Sequence, residues 1–180
     1  MHTIERQRAQ LAIAGILDVP LADLSFLDGD ISDLSLPDRI AVLIPSASPD
    51  RPAKLWPGER YAELALALIA RGLSPVIIGG SDAKAVSQKI TEAAPGTIDL
   101  TGRTSLGQLA AVARRAELAI GNDTGPTHLI SLVGCPTIAL FGGDSNPEKT
   151  GPVGPAARVV RAEALEQLTV ADVLAALPPA

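Results

Sequence analysis

The chain has 180 residues, 47% of them hydrophobic, yet it holds only one Trp, one Tyr and two Phe. That length fits one domain with a core of Leu, Ile, Val and Ala, which suits helices covering a parallel sheet better than an aromatic-rich β-sandwich. A net charge of −5 and an isoelectric point near 5.0 count against a nucleic-acid surface, and the lone Cys135 rules out an intrachain disulfide.

From the amino end, Met1-His2-Thr3-Ile4-Glu5-Arg6 lacks the layout of a signal peptide. Residues 3–17 set Ile4, Leu11, Ala12 and Ala14 among Arg and Gln, which predicts a short amphipathic helix. Residues 18–38 hold Pro20, Gly29, Pro37 and scattered acidic side chains without steady periodicity, and read as a linker. A regular alternation follows. Apolar strands are expected at 40–44, 75–78, 97–100, 117–120, 137–141 and 158–160, with helices at 59–71, 82–94, 105–115, 126–133 and 169–177. Ser105 with Gln108, and Thr169 with Asp172, resemble capping boxes. The longest apolar stretch, 129–142, is broken by Pro136 and is too short to span a bilayer, so a soluble, cytoplasmic protein without a transmembrane segment is expected. Cys135 lies in that stretch and reads as a small buried hydrophobe, weakly implying a reducing compartment.

Strict alternation predicts a doubly wound α/β domain with a parallel sheet of about six strands, whose ligand binds at the strands' carboxyl ends where strand order reverses. The loops at those ends therefore carry the functional reading. In Gly121-Asn122-Asp123-Thr124-Gly125-Pro126-Thr127-His128, a strand end turns into a helix with Pro near its first position. Free N–H groups and the helix dipole there make an anion site, with Asp123 and His128 beside it. The same run would also serve as a capped turn without a ligand, and His128 as a structural histidine. Ser46, Ser48 and Lys54 follow the first strand and suit a diphosphate, or a solvated Pro-rich loop. After the second strand, Gly79 and Gly80 permit close backbone approach, and Asp82 is placed either to accept from ribose hydroxyls or to cap a helix. Thr104, Ser105 and Leu106 follow the third strand, as a cap and a flank for a base. His2 and His128 are the only histidines and no ligand-spaced cluster appears, so no metal is expected. Neither a Gly-x-Ser-x-Gly elbow nor a P-loop is present.

Pro45 through Lys54-Leu55-Trp56-Pro57, then Thr104-Ser105-Leu106, Gly121 through Leu129, and Pro136 through Gly142 with Pro147 and Pro152 behind, resemble the carboxyl-terminal half of the heptosyltransferases, glycosyltransferase family nine. The resemblance covers roughly residues 39–160. It implies one Rossmann-like half of a two-lobed GT-B fold, with residues 1–38 as the helix and interdomain linker and 39–180 as the sugar-nucleotide-binding domain. It also implies transfer of heptose from ADP-heptose to the inner core of lipopolysaccharide, at the inner membrane face. Lys54, Ser46 and Ser48 would then meet the donor diphosphate, Asp82 the ribose, and Thr104, Ser105 and Leu106 the adenine. Asp123, Thr124, Gly125 and His128 would surround the diphosphate and sugar. Ser46 stands where the family usually has Gly, and Thr124 where Ser is commoner. The resemblance implies no required cofactor. The amino-terminal lobe, with the acceptor site and general base, would lie outside this chain or on a partner. The residues alone leave two rivals, a non-catalytic nucleotide-binding module and a transferase for another sugar nucleotide.

Overall fold

A computed structural model describes residues 1–47 and 50–177. The elements run α1 (Thr3–Ile13), β1 (Ile40–Ile44), α2 (Gly58–Ile69), β2 (Ser74–Ile77), α3 (Lys84–Ala93), β3 (Ile98–Asp99), α4 (Leu106–Arg115), β4 (Leu118–Asn122), α5 (Gly125–Leu132), β5 (Thr137–Phe141), α6 (Pro147–Thr150), β6 (Ala157–Arg161) and α7 (Val170–Ala175). The strands form one six-stranded sheet in the order β3-β2-β1-β4-β5-β6, and every pairing is parallel. Strand order reverses between β1 and β4, so their carboxyl ends flank the crevice where such sheets bind ligands.

The four central strands, β2, β1, β4 and β5, are buried almost throughout on both faces, as parallel strands between helices must be, while the edge strands β3 and β6 are partly exposed. Side chains alternate along a strand, so Ala41 and Leu43 of β1 join Tyr61, Leu64 and Leu68 of α2 and Val173 of α7. Ile40, Val42 and Ile44 point the other way, to Leu109 and Val112 of α4 and Ile130 of α5. The stripe Tyr61, Leu64, Ala65 and Leu68 is fully buried, as its helical spacing dictates. Both expected capping boxes form: Ser105 Oγ accepts from Gln108 N, and Thr169 Oγ1 from Asp172 N, with each partner side chain returning to the cap's own N–H. Cys135 is buried, and burial pushes its thiol up to about 12.

Several element boundaries differ from the sequence expectation, among them those of the first helix and of the third and fourth strands. The first helix stops at Ile13, because Gly15 takes a φ of +82° and its N–H closes on Ala12 O while Ile16 N closes on Leu11 O. The third strand keeps two residues, Ile98 and Asp99, on the sheet edge. The fourth runs two residues further, to Asn122, with Gly121 in register with Ile44. Gly121 reads as a turn residue, yet it pairs within the strand, and it is glycine because the space is closed: a Cβ there would meet Thr127 Oγ1 at 2.6 Å and Ile44 Cβ at 2.7 Å.

Segment 18–38 is bound along α4. Arg114 donates to the carbonyls of Leu24 and Leu27, Arg115 to those of Leu36 and Pro37, and Gln108 to that of Asp30. Leu34 and Leu36 join the core. Helix α1 buries none of its residues, but its start is tied to the far end of the chain, where His2 Nε2 bonds Gly151 O and Thr3 Oγ1 donates to Lys149 O.

Candidate functional site

Asp123 follows the last residue of β4 and is the centre of the site. Its Oδ2 accepts from Lys54 Nζ at 2.5 Å and Ser145 Oγ at 2.9 Å, and its Oδ1 pairs with His128 Nε2 at 3.0 Å. The carboxylate is nearly sealed, with its side chain 6% exposed. Burial alone would push the carboxyl up. The hydrogen bonds from His128, Lys54 and Ser145, together with the Lys54 charge, outweigh it and hold the carboxyl at about 2. Ionised, it only accepts, so His128 Nε2 must carry a proton.

Each partner arrives from a different strand end. Lys54 closes a 3-10 turn, Pro52–Lys54, between β1 and α2. Two residues on, Trp56 is fully buried and donates its indole N–H to Leu168 O at 3.0 Å, which fixes where the turn ends. His128 lies one turn into α5, whose first residues are Gly125 and Pro126. Ser145 stands four residues beyond β5 and is buried.

Asn122, one residue earlier, is wholly buried and faces the β1 side. Its Nδ2 donates to Ser46 O at 3.1 Å, and its Oδ1 accepts from Trp56 N at 3.1 Å. The Tyr61 hydroxyl lies 3.1 Å from both Asn122 Oδ1 and Ile44 O. Thr127 Oγ1 donates to Asn122 O at 2.8 Å and lies 3.3 Å from Thr124 Oγ1, tying the start of α5 to the end of β4.

A groove of about 640 Å³ opens over this cluster, walled by Ser46, Arg51 and Lys54 on one side, by Gly80 and Asp82 on another, and floored by Asp123, Thr124 and Gly125. Gly125 presents open space where a side chain would stand. The groove thus has a helix start, two cationic side chains and two hydroxyls, the donor set an anion needs. A more apolar cavity of about 450 Å³, lined by Pro45, Leu55, Ala83 and Val86, adjoins it through Ser46, Ala47 and Asp82.

Of the residues singled out from sequence, Ser46, Lys54, Asp82, Asp123, Thr124 and Gly125 line this one groove. His128 reaches it through Asp123. Ser48 lies outside the described residues. Thr104, Ser105 and Leu106 line neither cavity: Ser105 caps α4, and Leu106 is exposed. Just before them, Gly102 N donates to Gly79 O at 2.8 Å, which joins the loop after β3 to the loop after β2. Sequence reasoning missed Asn122 as a brace and Ser145 as a partner of Asp123; Arg51, three residues before Lys54 and basic like it, also lines the groove. Ser145 had a signal, its place at the carboxyl end of the fifth strand. Among the described residues, no group of three or more His, Cys, Asp or Glu is placed to hold a metal ion.

The sequence matches the model of glycosyltransferase family 9 (heptosyltransferase) over residues 4–174. It is similar to lipopolysaccharide heptosyltransferase 2 of Escherichia coli K12, 34% identical over 115 residues, a match covering 61% of this chain and 33% of that protein. The fold is similar to the structure of E. coli ADP-heptose lps heptosyltransferase II, with a TM-score of 0.73 and 29% identity, over 89% of this chain and 51% of that one. It is also similar to E. coli heptosyltransferase WaaC with ADP, with a TM-score of 0.77 and 26% identity, over 97% and 55%. The chain therefore spans between a third and about half of the length of these relatives.

Proposed function

The chain belongs to glycosyltransferase family 9, and from that premise we propose that it is the donor-binding half of an enzyme that transfers heptose from ADP-heptose to the inner core of lipopolysaccharide. The observation that carries this reading is the Lys54–Asp123 pair at the strand-order reversal, beside the start of α5 and under an open groove. Lys54, the Ser46 hydroxyl and the N–H groups at Gly125 meet the diphosphate and stabilise its charge as it leaves. Asp123, held ionised, accepts from the sugar's hydroxyls, with His128 fixing its orientation. Asp82 takes the ribose, and the turn Thr104-Ser105-Leu106 flanks the adenine.

In the reaction an acceptor hydroxyl attacks the anomeric carbon, its proton passes to a base, and the bond from that carbon to the diphosphate oxygen breaks to release ADP. The base and the acceptor surface come from an amino-terminal lobe outside this chain or from a partner chain. Lys54 and the helix start carry the leaving-group charge, so no metal or other cofactor is required. Among the described residues no helix is long and apolar enough to cross a membrane; the proposed reaction takes place in the cytoplasm, at the inner membrane face.

Calorimetric titration with ADP, UDP, GDP and ADP-heptose tests this reading. ADP is expected to bind more tightly than UDP or GDP. Equal affinity for all three removes the adenine assignment, and no binding by any removes the donor site. The 180-residue chain on its own is expected to bind the donor yet transfer no sugar.

A further inference from the structure

One buried carboxamide joins both ends of the segment that carries the site's cation. Asn122 Nδ2 donates to Ser46 O where that segment leaves β1, and Asn122 Oδ1 accepts from Trp56 N just after Lys54. The side chain is wholly buried, so it reaches no ligand itself. Its neighbour Asp123 holds the same segment by charge, through Lys54 Nζ. We infer that Asn122 is a positioning residue for phosphate recognition: by bridging Ser46 and Trp56 it fixes the segment so that Lys54 stands over Asp123 and faces the groove.

The geometry separates this from a purely structural role. A backbone N–H and a backbone C=O sixty-six and seventy-six residues from Asn122 are held by one planar group, so the two ends of the segment keep a fixed spacing. Lys54 lies two residues from one of those ends, and that short lever allows little drift of its ammonium. Tyr61 shares the same acceptor oxygen and supports the amide from the α2 side. A serine at position 122 is too short to reach both ends. The freed segment would then sample positions in which Lys54 no longer meets a diphosphate, while the loops assigned to the nucleoside stay in place. The inference rests on the donor-binding reading above for its ligand, and on hydrogen bonds alone for the brace.

The test is Asn122→Ser, read in two ways on the folded protein. Amide hydrogen exchange at Lys54, Leu55 and Trp56, whose N–H groups are bonded, is expected to quicken at least tenfold while β4 and β5 stay protected. ADP affinity is expected to fall about tenfold with adenosine affinity unchanged, and this loss is expected to vanish in a Lys54→Ala background, because Asn122 acts through Lys54. Unchanged exchange at Lys54, Leu55 and Trp56, or an ADP loss that persists without Lys54, would overturn the proposal. If the unaltered chain binds no ADP, the donor-binding reading fails, and hydrogen exchange still decides the brace. If Asn122→Ser does not fold, Tyr61→Phe carries the test: faster exchange of the segment and a two- to threefold loss of ADP that depends on Lys54 are expected, and no change in either overturns it.

Discussion

The ammonium of Lys54 stands 2.5 Å from the carboxylate of Asp123, so the cation best placed to meet a diphosphate already has a partner within the protein. The carboxylate orients Lys54 and also repels an incoming anion. The lysine therefore matters twice, as the donor to phosphate and as the charge that masks Asp123. Lys54→Ala is expected to weaken ADP by about 1.5–3 kcal/mol, the usual worth of a charge-assisted hydrogen bond. Adenosine, which has no phosphate, is expected to lose much less. Titration of both ligands against both proteins measures the difference, and equal losses would return Lys54 to a general structural role.

Acid should protonate this carboxylate only after the ordinary ones. The Asp123 carboxyl is held at about 2 rather than 3.8. A group whose folded value is depressed contributes stability that is fully present above its unfolded value and is lost as pH falls through the folded one. The contribution is about 2 kcal/mol, present above roughly pH 4 and lost toward pH 2. Asp123→Asn is expected to flatten that limb of the stability curve, measured as the urea midpoint between pH 2 and 5. An unaltered slope would mean that the carboxylate is not paired in solution.

Two glycines in one stretch are expected to fail differently. A methyl group at Gly121 would press on Ile44 and Thr127, so Gly121→Ala should destabilise the fold by about 2 kcal/mol, in the usual range for overpacking. At Gly125 the space is open and lines the groove. Gly125→Ala should leave the melting temperature nearly unchanged while weakening ADP. Thermal melts and titrations of both variants check the contrast.

The caps give a third handle on stability. Ser105→Ala and Thr169→Ala each remove the side-chain oxygen that accepts from the third N–H of a helix. Each is expected to cost about 1 kcal/mol in urea unfolding, and Asp at position 105 is expected to restore most of it. A loss below about 0.3 kcal/mol at both sites would show that tertiary packing holds these helix starts without their caps.

The β–α alternation, the buried stripe of α2 and both capping boxes were legible because each depends on neighbours in sequence. So was the placing of Ser46, Lys54, Asp123 and Gly125 in one groove, which follows once strand ends are known to converge. What escaped depends on contacts that no local pattern records. Asn122 looks like a turn residue within Gly-Asn-Asp-Thr-Gly, and its work is done on backbone atoms of Ser46 and Trp56. Ser145 meets Asp123 only because β5 lies beside β4. Segment 18–38 reads as a linker because its own pattern is irregular; Arg114 and Arg115 of α4 supply the bonds that fix it.

Placing β1 next to β4 also sets an order of events. Lys54 and Asp123 are 69 residues apart in sequence, with two whole β–α units between them, and Ser145 lies 22 residues further on. No stretch that folds early from local contacts contains both walls of the groove. The ligand has nothing to hold until the long-range pairing of β1 with β4 is complete, which is the slow kind of contact to make. A nucleotide can then act only after the folding barrier has been crossed. Saturating ADP is expected to leave the refolding rate untouched and to place its whole stabilisation in slower unfolding, so a nascent chain gains no help from its ligand and the finished protein gains persistence.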